Sequence, residues 1–87
     1  MKSIRTKTFK KRYDALPDSA KNQAITAYRM FVKDPFHPSL QFKQVDPSDT
    51  SIYSVRIGRS WRALGKRQND TIYWFWIGSH EEYNNII

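Results

Sequence analysis

Eighty-seven residues without a cysteine make one domain, 1–87, with a single small core, and exclude disulfides and thiolate metal sites. No apolar run approaches the roughly 20 residues that span a membrane, and the opening Met1-Lys2-Ser3-Ile4-Arg5 lacks the apolar stretch of a signal peptide, so a cytoplasmic address is expected. The net charge of +7 is unevenly spread: six basic residues fall within 1–12 and five within 51–69, and neither stretch holds an acid. Two such blocks point either to a polyanionic partner, nucleic acid or an acidic protein segment, or to a solvated basic surface that aids solubility.

Along the chain, Ile4 to Phe9 alternates weakly and reads as an edge strand or the lead-in to a helix. Phe9, Tyr13 and Leu16 are spaced four and three apart, a helical stripe that Pro17 ends. Asp18 or Ser19 is expected to cap the next helix, Ser19–Lys33. There Ala20, Ala24, Ala27, Tyr28 and Phe31 form the apolar stripe, Ile25 and Val32 widen it, and Lys21, Asn22, Arg29 and Lys33 face away. Asp34-Pro35 terminates it. Pro35 and Pro38 keep the following segment extended, Leu40 and Phe42 anchor it to the core, and His37 and Lys43 are left at or near the surface.

After a turn at Asp46-Pro47-Ser48-Asp49 come three runs rich in β-branched and aromatic residues, within Ile52–Ile77. Gly58 punctuates the first junction, and Gly65 with Asn69-Asp70 the second, the pattern of consecutive antiparallel strands. The last run, Thr71–Ile77, reads as apolar throughout, which predicts a mid-sheet strand with both faces covered. Two helices followed by a meander, with no alternation of strand and helix, make an α+β domain with its helices on one sheet face.

Three fragments carry a family resemblance: Asp34-Pro35-Phe36-His37-Pro38-Ser39-Leu40-Gln41-Phe42-Lys43, then Tyr53–Ile57 with Trp61–Gly65, and the ending Trp76-Ile77-Gly78-Ser79-His80-Glu81-Glu82-Tyr83. In their order and spacing they resemble the RelE/ParE superfamily of type II toxin–antitoxin toxins. The resemblance implies a short N-terminal strand and two helices packed on a small antiparallel sheet, a site on its concave face, and neutralisation by a cognate antitoxin. RelE-like members, including HigB-, YoeB- and YafQ-type toxins, are metal-independent endoribonucleases that usually cut mRNA in the ribosomal A site. ParE-like members instead inhibit DNA gyrase. The Gly-x-His followed by an aromatic, here Gly78, His80 and Tyr83, is most similar to the YafQ type.

Cleaving RNA without a metal requires a base for the 2′-hydroxyl, an acid for the leaving 5′-oxygen, and cations for the charge growing on the phosphate. His80 is the natural acid or base. Arg62 and Arg56 are separated by a multiple of two, so they share a sheet face, and their guanidinium forks suit a phosphate. Arg59, Lys43 and Lys66 are candidate phosphate contacts, and Tyr83 or Trp61 can stack on an unpaired base. His37 is either a second acid or base or a loop residue. Blander roles stand beside these: Arg56 or Arg62 can pair with Glu81, Glu82 or an antitoxin carboxylate, and Tyr83 can simply plug the last segment onto the core. Adjacent His80-Glu81-Glu82 side chains do not converge on one ion, so neither a metal nor a cofactor is expected. The expected function is a toxin that cleaves translated message, with an antitoxin, RNA and the ribosome as partners. The alternatives are a gyrase inhibitor and a catalytically inactive relative that binds nucleic acid or antitoxin.

Overall fold

In the computed structural model, which describes residues 1–86, local chemistry sets most element boundaries. The chain runs β1 (Lys2–Arg5), α1 (Lys7–Asp14), α2 (Asp18–Lys33), a 3-10 turn (Pro38–Leu40), β2 (Lys43–Gln44), β3 (Ile52–Ile57), β4 (Trp61–Gln68), β5 (Thr71–Ser79) and α3 (His80–Ile86). Helix α1 starts two residues before Phe9 because Thr6 caps it, its Oγ1 accepting from the Phe9 N–H at 3.2 Å. Helix α2 covers the predicted span. The residue at its N-cap is Pro17, however, and neither Asp18 nor Ser19 makes a side-chain cap. The segment after Pro35 is not extended as expected: His37 Nδ1 accepts from the Ser39 N–H at 3.1 Å and starts the 3-10 turn. No helix among the described residues is long and apolar enough to cross a membrane.

The fold is α+β, as the sequence predicts, but the sheet has five strands in the order β1-β5-β4-β3-β2 and is mixed, because β1 runs parallel to β5. β5 therefore lies between the edge strand β1 and β4, which takes the centre. One face carries Val55, Ile57, Ala63, Ile72, Trp74 and Ile77, and it receives Phe9 from α1, Ala24 and Phe31 from α2, and Leu40 and Phe42 from the connecting segment. Phe31 meets Phe42 and Trp74 edge-on, with centroids 5.1 and 5.4 Å apart. Each such fully buried side chain contributes about 1.5–3 kcal/mol.

The other face, called the second face below, follows from a β-bulge. Leu64 pairs with Trp76 but Gly65 pairs with Trp74, so Phe75 is the extra residue. The bulge lets Trp74 and Ile77 both face the helices while Tyr73 and Trp76 stand on the second face. Tyr73 is 36% exposed and Phe75 and Trp76 are half-buried, so β5 is not covered on both faces. The Trp76 ring folds across Gly78, where a Cβ would lie 2.6 Å from it. Gly78→Ala is expected to cost about 1–3 kcal/mol through overpacking, read as a fall in the thermal midpoint of several degrees.

Candidate active site on the second face

Directly opposed residues of a ladder share a face, so cross-strand register places the candidates. Arg56, Arg62 and Gly78 form one row on the second face, Lys43, Ser54, Leu64 and Trp76 the next, and Ile52, Lys66 and Tyr73 a third. Helix α3 lies over this surface. Ser79 and Glu82 form a capping box: the Glu82 N–H donates to Ser79 Oγ at 3.1 Å, and Glu82 Oε1 accepts from the Ser79 N–H at 3.1 Å. The His80 N–H donates to the Ser60 carbonyl at 2.7 Å, tying the helix start to the β3–β4 turn. The same Glu82 pairs with Arg12 of α1 at 3.2 Å, and Arg12 Nε donates to the Ile77 carbonyl at 2.8 Å. Glu82 is therefore committed to Arg12 and not to Arg56 or Arg62.

The Ser79 N–H, the Ser79 hydroxyl and Arg12 hold the Glu82 carboxyl below the ordinary value of 4.5. A carboxylate whose folded value is depressed stabilises the fold above its unfolded value and loses that contribution as pH falls through the folded one. Acidification below about pH 4.5 is expected to fray α3, observable as loss of helical signal and of the His80 and Tyr83 amide dispersion. Asp46 and Asp49, each lowered chiefly by a serine side-chain hydrogen bond, from Ser48 and Ser51 respectively, should release the 46–51 turn in the same acid range.

Tyr83 anchors α3. It is 8% exposed, and its hydroxyl lies 3.3 Å from the Oγ of Ser54, which is fully buried. The Arg62 guanidinium carbon lies 5.1 Å from the Tyr83 ring centroid, and His80 stacks on the same residue with centroids 6.2 Å apart and planes 19° from parallel. Arg62 is thereby held at three points. Its Nε donates to His80 Nδ1 at 3.4 Å, its Nη2 donates to Gln41 Oε1 at 3.2 Å, and its face rests on Tyr83. Its Nη1 is buried, and among the described residues no atom accepts a hydrogen bond from it. With Nδ1 accepting from Arg62, the proton of the neutral His80 ring sits on Nε2.

The structure brings together only some of the sequence candidates. Arg62, His80 and Tyr83 form one cluster. Arg56 is directly opposite Arg62 in the ladder, yet its Nε donates to the Gly58 carbonyl at 2.9 Å, toward the β3–β4 turn. Lys43 and Lys66 are exposed on the second face in the two rows beyond Arg62, and Arg59 is exposed in the turn. Trp61 pairs with Ile57 and packs against the core on the helix-bearing face, so it offers no stacking surface beside Arg62. The Tyr83 ring is buried beneath Arg62 and His80 and supports them, so it is not free to receive a base. His37 is a turn cap. Sequence reasoning missed Gln41, Ser54, Arg12 and the capping role of Ser79. Only the last has a local signature, Ser-x-x-Glu.

Among the described residues, no three His, Asp or Glu side chains are grouped so that they could hold a metal ion. The fold is similar to those of solved toxins. A chain of the RelB–RelE antitoxin–toxin complex from Methanococcus jannaschii matches with a TM-score of 0.75 at 15% identity, covering 97% of this chain and 98% of that one. YafQ from Escherichia coli matches with a TM-score of 0.73 at 9% identity, covering 93% and 94%. The toxin–antitoxin complex RelBE2 from Mycobacterium tuberculosis matches with a TM-score of 0.72 at 16% identity, covering 91% and 96%. No curated protein is significantly similar in sequence. The model of the ParE-like toxin domain matches residues 18–85, most of the chain, and the protein therefore belongs to the ParE-like toxin domain family.

Proposed function

We propose that this chain is the toxin of a toxin–antitoxin pair and that it is a metal-independent endoribonuclease acting on translated message. The observation that carries the reading is Arg62, held by His80, Gln41 and Tyr83 with its guanidinium beside the imidazole on the second face. A phosphate oxygen is the acceptor that suits a guanidinium fork beside an imidazole. As the phosphate takes up Arg62, the long 3.4 Å contact to His80 is released and the Nδ1 lone pair is freed to accept the 2′-hydroxyl proton. The 2′-oxygen attacks the adjacent phosphorus, and the P–O5′ bond breaks. The imidazolium returns the proton to the 5′-oxygen, leaving a 2′,3′-cyclic phosphate and a 5′-hydroxyl. Arg62 stabilises the charge on the phosphoryl oxygens, and Gln41 and Tyr83 keep it there. Lys43 and Lys66, exposed on the same face, are read as contacts to flanking phosphates.

The antitoxin is the proposed protein partner. Support comes from the similar folds solved as antitoxin–toxin complexes and from an apolar groove of about 250 Å³ between α1, α2 and the sheet, rimmed by Arg5, Arg29 and the exposed Tyr28 and Ile25. That combination fits an acidic amphipathic segment.

A second reading, inhibition of DNA gyrase without RNA cleavage, is favoured by the ParE-like family match. Induction of wild type and His80→Ala in a bacterial host, with primer extension across a translated message, separates the two. New cuts that vanish with His80→Ala are expected. Growth arrest with intact message and DNA damage, retained in His80→Ala, would transfer the protein to the gyrase class.

A further inference from the structure

Strand β2 pairs with Tyr53 and Ser54, so among the described residues β3 beyond Ser54 has no strand on its outer side. Helix α2, the 3-10 turn and the β3–β4 turn enclose a groove of about 520 Å³ there, within the range of small-molecule sites. Met30 and Leu40 supply an apolar floor, Asn22 and Gln23 bring two side-chain amides from α2, and Arg56 and Arg59 bring two guanidinium groups from the strand end and turn. Gly58 has φ +57°, a left-handed conformation that glycine adopts without strain, and it lies beside the Gln23 side-chain amide of α2. Its carbonyl accepts from Arg56 Nε at 2.9 Å and fixes that guanidinium along the groove.

An apolar floor, amides with paired donors and acceptors, and two guanidinium forks together match a nucleotide: a base to cover, a base edge to pair, and a phosphate to neutralise. The groove also adjoins the cluster described above, because Arg56 and Arg62 are direct ladder partners, whose Cα atoms in any antiparallel pair are about 4.5–5.5 Å apart. We infer that the groove is a second nucleotide subsite, in which an RNA strand with its scissile phosphate at Arg62 crosses β3 and seats a neighbouring nucleotide, its phosphate on Arg56 and Arg59 and its base over Met30 and Leu40. The inference rests on the ribonuclease reading for the identity of the strand.

The test is a titration of the ¹⁵N-labelled full chain with an RNA hexamer methylated at every 2′-hydroxyl, which binds without being cut. Amide resonances of Asn22, Gln23, Gly58 and Arg59 are expected to shift together with those of Gln41, His80 and Tyr83. Arg59→Glu is expected to weaken the hexamer by about tenfold, and the uncharged change Asn22→Leu by severalfold, the scale of one lost nucleotide contact. Both substitutions are at exposed positions, and the spectrum itself reports that each variant is folded. Shifts confined to Gln41, His80 and Tyr83 would overturn the subsite and leave the ribonuclease reading standing. Shifts at neither place would overturn both. Loss of affinity with Arg59→Glu but none with Asn22→Leu would reduce the groove to a basic surface without nucleotide recognition.

Discussion

Replacing Arg62 by alanine is expected to slow cleavage of RNA by about 10²–10³-fold, the loss that follows removal of one preorganised donor from a developing anion. Arg62 meets His80 through Nε, Gln41 through Nη2 and Tyr83 through its face. Lysine has a single point of charge and no fork, so Arg62→Lys should recover little of the loss. Stability should barely change, because the substitution also removes a buried Nη1 with no partner, and deleting an unsatisfied group offsets the packing lost. The measurement is kcat/KM on a short RNA alongside a thermal melt. Cleavage at the wild-type rate by a folded Arg62→Ala would dispose of the site. Gln41→Ala, which leaves the guanidinium in place but unties one end, should give a smaller loss of the same kind.

Tyr83 should divide differently between stability and activity. Tyr83→Ala removes a buried aromatic whose ring underlies both Arg62 and His80 and is expected to cost about 3–5 kcal/mol. That is a large part of the roughly 5–15 kcal/mol available to a small domain, and α3 should detach before the sheet melts. Tyr83→Phe keeps the ring and loses only the hydroxyl contact to the fully buried Ser54, for about 1–3 kcal/mol. Denaturant unfolding should order the variants as wild type, Phe, Ala, while the Phe protein retains cleavage within a few-fold. A stable Tyr83→Phe protein that cannot cut RNA would mean that the hydroxyl takes part in the chemistry, contrary to its buried placement.

Both effects depend on neighbours far apart in sequence, and this separates what was legible in the chain from what was not. Helix α2 could be read because its burial repeats at helical spacing, Ala20, Ala24 and Phe31 all facing the core. The three long strands could be read because β-branched and aromatic runs end at turn residues, with Gly58 and Asn69 both at positive φ. The even separation of Arg56 and Arg62 put both arginines on one face, and their direct pairing in the ladder agrees. The bulge at Phe75 left no trace, since every residue around it is apolar and a change of face alters no pattern. Helix α3 is seven residues long, too short to hold itself, and exists through Ser79, Arg12 and Ser54, of which only the first is local.

Composition and periodicity by themselves determined a basic, cysteine-free α+β domain with a histidine following an arginine-bearing sheet. Tertiary structure alone decided that Arg62 is held between Gln41 and His80 while Arg56 turns to the α2 groove, and that Trp61 packs against the core from the helix-bearing face. A strand's period assigns a side chain to a face. Where its end goes depends on the partners that reach it, and for Arg62 those lie 18 and 21 residues away along the chain.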